Sequence, residues 1–237
     1  IRPPKINQIK FPIQDIHYHS LNNSVAFFEK STSNLRWKFL KRLQISKETR
    51  KEANMLKRFD LLSVDGKTRL QGYHWPCEKP WAVLQITHGM AEHLLRYDGF
   101  AKYLNQQQIA VIGHDHLGHG ASIYQQPAGY FHDSQTENGL VGDLHQVTQW
   151  GKKNYPEIPF FVLGHSMGSF VLRNYLTEYG TEISGAILVG TGQQPTWLTR
   201  VGRSVAKGLS KIQGEKHPSW LIDLLAFGRM NRKFSPQ

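Results

Sequence analysis

Between residues 59 and 190 short, continuously apolar runs alternate with amphipathic stretches of helical spacing. "WAVLQITHG", "IAVIGHDH", "PFFVLG" and "ISGAILVG" have no polar face and are bounded by glycine or other turn residues. Strands apolar on both sides belong to a parallel sheet covered on both faces. "YDGFAKYLNQQQ", "GLVGDLHQVTQWGKKNYP" up to Pro156, and Met167 to Tyr179 read as the covering helices, so an α/β class is expected. Ahead of them, "RFDLLSVDGKTRLQGYHWP" has two strand-like runs around Asp65-Gly66, the pattern of an antiparallel hairpin, placed at one edge of the sheet. After Gly190 the alternation stops, and the remaining residues suggest two helices with mixed faces and no further strand. Three segments result: an extension over 1–57, a core over 58–190, and a helical segment over 191–237. The extension shows turn residues, one basic helical stretch and no clear core pattern.

Composition changes this picture mainly at the extension. The 237 residues, 39% hydrophobic, suffice for one sizeable core. Cys77 is the single cysteine, so no internal disulfide forms and nothing marks an oxidising compartment. No run approaches the roughly 18 apolar residues of a spanning helix, and the start lacks a signal-peptide pattern. A cytoplasmic location is therefore the expectation. The sequence begins with Ile1, which hints at a longer parent chain. The formal net charge is +11, and much of the excess lies in "KSTSNLRWKFLKRLQISKETRKEANMLKR", from Lys30 to Arg58. Leu35, Trp37, Phe39, Leu40 and Leu43 interleave its basic residues. A basic, partly amphipathic helix can lie on an anionic membrane, and peripheral membrane contact through this segment is expected beside the plainer reading of a solvated arm. Nucleic acid is not expected as a partner, since no helix-turn-helix, zinc-finger or RNA-binding motif accompanies the charge.

Candidate chemistry sits at "FFVLGHSMGSF". Gly164-His165-Ser166-Met167-Gly168 fits G-x-S-x-G directly between an expected strand and an expected helix, the context this motif requires. So sharp a turn strains the serine backbone, and only glycine at the flanking positions avoids a clash. The Ser166 hydroxyl would stand above the sheet edge at the positive end of the following helix. An acyl-transfer serine also needs N–H donors for the developing oxyanion. Met167 supplies one, and the Met90 N–H in "THGMAEHLLRY", the loop after an earlier strand, is the natural second. The side chains of His88 and His93 read as polar loop packing.

"HGMAEHLLRY", "GHDHLGHGAS" and "GHSMGS", in that order and spacing, resemble the monoacylglycerol lipase and lysophospholipase group of α/β-hydrolases, often described by the serine aminopeptidase domain. The resemblance covers about residues 58–237. It implies an α/β-hydrolase fold: a mostly parallel sheet with helices on both faces, an N-terminal antiparallel hairpin, and a helical cap beginning after Gly190. It implies a serine hydrolase of lipid esters, monoacylglycerol or lysophospholipid, with Ser166 as nucleophile, Met90 and Met167 as oxyanion donors, and no cofactor. The basic extension is not part of the family pattern.

"GHDHLGHG" gathers His114, Asp115, His116 and His119, spacings that also occur in zinc sites. The segment follows a strand, is glycine-rich and matches the D-x-x-G-H-G loop that is structural in the resembled fold, so no metal is assigned. A serine hydroxyl also needs a histidine base oriented by an acid, in the chain order Ser, Asp or Glu, His. After Ser166 the only histidine is His217, and the acids are Glu178, Glu182, Glu215 and Asp223. Glu178 and Glu182 fall behind the turn, Glu215 and His217 lie together in the cap, and Asp223 follows the histidine. None is assigned. The expectation is a hydrolase fragment whose last strands, acid and histidine lie beyond Gln237, leaving an apolar sheet edge open. The alternative is a non-catalytic remnant or binding module that lacks the triad.

Overall fold

The computed structural model describes residues 16–22, 25–30, 56–123, 128–130, 136–192 and 196–214. The chain divides into two compact units, Ile1–Thr191 and Gly192–Gln237. The first contains an eight-stranded sheet: β1 (Ile16–Asn22), β2 (Val25–Lys30), β3 (Lys57–Leu62), β4 (Arg69–Trp75), β5 (Ala82–Thr87), β6 (Ile109–His114), β7 (Phe160–His165) and β8 (Gly185–Val189), in spatial order β1-β2-β8-β7-β5-β6-β4-β3. The four central strands, β6, β5, β7 and β8, run parallel. Antiparallel strands flank them on both sides.

β5, β6 and β7 bury both faces because each face meets its own layer, whereas on β8 the face bearing Ile187 and Val189 is only partly buried. Tyr73, Trp75, Leu84, Ile86, Val111, Phe161 and Leu163 pack with Leu94, Ala101 and Leu104, the last two from helix α1 (Asp98–Gln106). On the other face Val83, Ala110, Ile112, Val162, Ala186 and Leu188 pack against helices α2 (Thr136–Asn154) and α3 (Met167–Tyr179) through Leu144, Val147, Leu172 and Tyr175. The one polar side chain at the middle of β5, Gln85, is satisfied there. Its amide donates to the Leu144 carbonyl at 3.1 Å, and its Oε1 accepts from the Thr148 hydroxyl at 2.8 Å, as a buried amide requires. The β3–β4 hairpin lies at one edge, turning at Asp65-Gly66. Gly66 has φ 71°, and the Asp65 carboxylate takes the Lys67 and Thr68 N–H groups at 2.7 Å.

The extension departs from the sequence reading. "IHYHSLN" and "VAFFEK" are strands, paired antiparallel with each other, and β2 pairs antiparallel with β8 from Val25↔Val189 to Glu29↔Gly185. The expected open edge is therefore covered by a hairpin from the chain's own N-terminal part. Of the basic helix expected between Lys30 and Arg58, residues 31–55 lie outside the described residues, while Lys30 ends β2 and Lys57-Arg58 open β3.

In the second unit helix α4 (Thr196–Gln213) is the first of the two helices expected there; the second falls outside the described residues. On α4 Val201, Val205 and Ile212 are exposed, and Arg200, Arg203, Lys207 and Lys211 carry its charge. Among the described residues no helix is long and apolar enough to cross a membrane.

Candidate active site at the β7–α3 turn

Ser166 occupies the single residue between β7 and α3, with φ 50° and ψ −115°, a conformation that costs a side-chain-bearing residue about 1–3 kcal/mol. The surroundings over-determine it. The Ser166 N–H donates to the Val189 carbonyl at the end of β8 (2.9 Å). The Ser166 carbonyl accepts both the N–H of Ser169 (2.9 Å) and its hydroxyl (2.6 Å). The flanking glycines are required by space. A Cβ on Gly164 would lie 2.6 Å from the Gly168 carbonyl oxygen and 2.8 Å from the Ser169 Cα, and one on Gly168 would strike the Thr87 and His88 carbonyl oxygens. All of these are backbone atoms that cannot step aside.

The loop after β5 is brought against this turn. A Cβ placed on Gly89 would sit 3.1 Å from the Ser166 Cβ and 3.3 Å from the His165 Nδ1. Ala91 takes φ 55°, so the loop doubles back sharply. Met90, between them, is half exposed. Met167 is the first residue of α3, where a backbone N–H has no partner within the helix. The structure thus brings together the loop bearing Met90, Ser166 and Met167.

Glu92, which the sequence reading does not single out, organises the loop. Its carboxylate, 5% exposed, accepts the Gly89 N–H, the Tyr97 hydroxyl (2.9 Å) and a hydrogen bond from His165 Nδ1 (2.9 Å), and the Arg96 guanidinium lies 3.3 Å away. Burial raises its pKa, but the bonds from His165, Gly89 and Tyr97 outweigh burial and leave it below the ordinary glutamate value, so the carboxylate is ionised at neutral pH. Burial and the same carboxylate push the Tyr97 phenol upward. Glu92 thereby ties three places in the chain together: Gly89, His165 and the turn before α1. A signal was present in "HGMAEH", where Glu92 follows Gly89 by one turn, but its contact with His165 depends on the fold.

The histidine-rich segments form a buried core beneath the loop. Ring centroids lie 4.4 Å apart for His88–His116, 5.1 Å for His114–His116 and 5.5 Å for His88–His119. Burial lowers the pKa of His88 to about 4 and of His114 to about 3. Asp115 accepts the N–H groups of Leu94 and Ala121, both at 2.8 Å, and the Tyr73 hydroxyl at 3.2 Å, which fastens the loops after β5 and β6. His116 Nε2 lies 2.9 Å from the Thr87 hydroxyl, and His119 Nδ1 lies 3.0 Å from the Leu117 carbonyl. Among the described residues no group of three or more histidine, cysteine or acidic side chains is arranged to hold a metal ion.

Glu182 lies before β8, bonded to Gln149 at 2.5 Å and 3.5 Å from Lys152, at the opposite end of the parallel strands from Ser166. Glu215, His217 and Asp223 fall outside the described residues. Among the described residues no side chain is hydrogen-bonded to the Ser166 hydroxyl.

A parallel-centred sheet covered on both faces, with a strained serine between two obligate glycines at the end of a central strand, defines the α/β-hydrolase class. The chain belongs to the family described as serine aminopeptidase, S33, whose model matches residues 78–235. It is 37% identical to the monoglyceride lipase of Rattus norvegicus over 129 residues, 54% of this chain and 41% of that protein. It is 31% identical to the monoacylglycerol lipase of Mycolicibacterium smegmatis over 138 residues, 58% of this chain and 48% of the relative. A thermostable carboxyl esterase from Bacillus coagulans, in complex with glycerol, superimposes with a TM-score of 0.66 at 27% identity, over 77% of this chain and 59% of the esterase. The chain thus spans about half the length of the curated relatives it matches.

Proposed function

We propose that this chain carries the nucleophile of a serine hydrolase that cleaves lipid esters, monoacylglycerol or lysophospholipid, through an acyl-enzyme on Ser166. The carrying observation is the strained Ser166 with the Gly89–Met90 loop packed against it. In this reading the Ser166 Oγ attacks the ester carbonyl, and the carbonyl oxygen becomes an oxyanion held by the Met90 and Met167 N–H groups. Collapse breaks the bond to the alcohol oxygen, which leaves carrying the proton given up by the Ser166 hydroxyl, and water then hydrolyses the acyl-serine to the free acid and restores the hydroxyl. Removing one oxyanion donor costs a related site about 3–4 kcal/mol of barrier. The lipase and esterase relatives support the substrate class. The amphipathic pattern of α4 supports a helical cap in residues 191–237.

A second reading, a non-catalytic binding module on the same fold, is favoured by the absence, among the described residues, of a histidine bonded to the Ser166 hydroxyl. Hydrolysis of monoacylglycerol and lysophospholipid by the protein, compared with Ser166→Ala, separates the two. Turnover lost in the alanine variant supports the enzyme, and no turnover from folded protein supports the module. Peripheral membrane contact through the basic Lys30–Arg58 segment is the companion proposal. Replacing Lys38, Lys41, Arg42, Lys47, Arg50 and Lys51 by glutamine, which leaves the β1–β2 hairpin in place, should weaken binding to anionic vesicles and reduce its salt sensitivity, and unchanged binding would reject it.

A further inference from the structure

Both peptide planes that meet at Gly89 are gripped by side chains of the same loop. The N–H of Gly89 is taken by Glu92, and its carbonyl lies 2.7 Å from His88 Nδ1. A trans peptide holds its C=O and the next N–H in one plane, pointing in opposite directions, and no described peptide is cis. The carbonyl held by His88 therefore shares a rigid plane with the Met90 N–H, and holding one end aims the other.

His88 is itself fixed in ring orientation and tautomer. Its Nε2 accepts the backbone N–H of His116 at 2.9 Å. A ring nitrogen that accepts carries no proton, so the proton sits on Nδ1 and is donated to the Gly89 carbonyl. The ring is fully buried, and burial keeps it neutral down to a pKa of about 4.

We propose that His88 is a positioning residue that aims the Met90 N–H at the oxyanion by holding the Gly89 carbonyl on the opposite side of the shared peptide plane, while Glu92 fixes the plane before it. The inference rests on reading Met90 as an oxyanion donor. It gives His88 a role beyond the polar loop packing its sequence position suggests.

Two amide variants separate aiming from packing. The side-chain amide of Asn reaches about as far as Nδ1, and that of Gln about as far as Nε2. His88→Asn therefore keeps a donor for the Gly89 carbonyl and loses the acceptor for His116, and His88→Gln does the reverse. The readouts are the rate of Ser166 labelling by a fluorophosphonate and the amide proton shift and exchange rate of Met90, both on the 237-residue chain. His88→Gln should slow labelling about tenfold or more, toward the 10²–10³ loss of a whole oxyanion donor, and should move the Met90 amide. His88→Asn should stay within about threefold of wild type. Equal behaviour of the two variants, or Gln performing better, would overturn the proposal. If wild-type chain takes no label, the Met90 amide decides on the same terms; the failed labelling then counts against Ser166 as an activated nucleophile and not against the aiming role. A variant-free check is the imidazole nitrogen spectrum of His88. It should show the proton on Nδ1, and a proton on Nε2 would overturn the proposal even if a variant fails to fold.

Discussion

Ser166 stores strain that the turn cannot release while the residue carries a Cβ. With φ 50° and ψ −115°, it sits where glycine is at ease. Replacing Ser166 by Gly should recover about 1–3 kcal/mol of strain, against about 0.5–1 kcal/mol of extra unfolded-state freedom. Ser166→Ala keeps the strain. The glycine variant should therefore be the more stable of the two by about 1 kcal/mol, measured by urea denaturation, and an equal or less stable glycine variant would contradict the strained turn. Much of this residue-scale picture was legible beforehand. Gly164 and Gly168 announced a turn too tight for side chains, and the structure gives the reason as carbonyl oxygens of β7–α3 and of the neighbouring loop. Glu92 was not legible as an organiser, because its partner His165 lies 73 positions away in sequence and only the parallel pairing of β5 with β7 makes them neighbours.

At the scale of elements, the strongly patterned segments came out as the sequence suggested. Continuous apolar runs became β5, β6, β7 and β8, and the stretch from Met167 to Tyr179 became α3. Such runs are specified locally, by a period and by glycine at their ends. The β1–β2 hairpin is poorly legible, because the alternation of "IHYHSLN" breaks at Ser20-Leu21, where the pairing carries an irregularity between Ser20 and Asn22. Its pairing with β8 also joins residues far apart in the chain, from Val25↔Val189 to Glu29↔Gly185. That hairpin covers an edge that would otherwise present unpaired backbone groups, the usual template for aggregation. Deleting residues 1–30 should make the protein self-associate, read by sedimentation or light scattering at rising concentration. A deletion variant that stays monodisperse would show that the β8 edge needs no such cover.

At the scale of the whole molecule, buried histidines set an acid limit on stability. His74, His88 and His114 have folded-state pKa values of about 4, 4 and 3, each lowered by burial from an ordinary 6.5. The unfolded chain therefore binds these protons first, and the stability they contribute is present above pH 6.5 and lost as pH falls toward 4. Asp143, raised by burial to about 6, works the other way over part of the same range, but it is one group against four, since burial also holds His116 well below the ordinary histidine value. Stability should fall by roughly several kcal/mol between pH 6.5 and 4, measured by denaturant titration at a series of pH values, and a flat profile would contradict the burial of these rings.

The central claim is that Ser166 is the nucleophile of an ester hydrolase. Fluorophosphonate labelling of the protein, with the modified peptide mapped by mass spectrometry beside Ser166→Ala, tests it most directly. The account predicts a label on the peptide containing Ser166 and none in the alanine variant. Label elsewhere, ester hydrolysis that survives Ser166→Ala, or folded protein that takes no label and turns over no ester would contradict it.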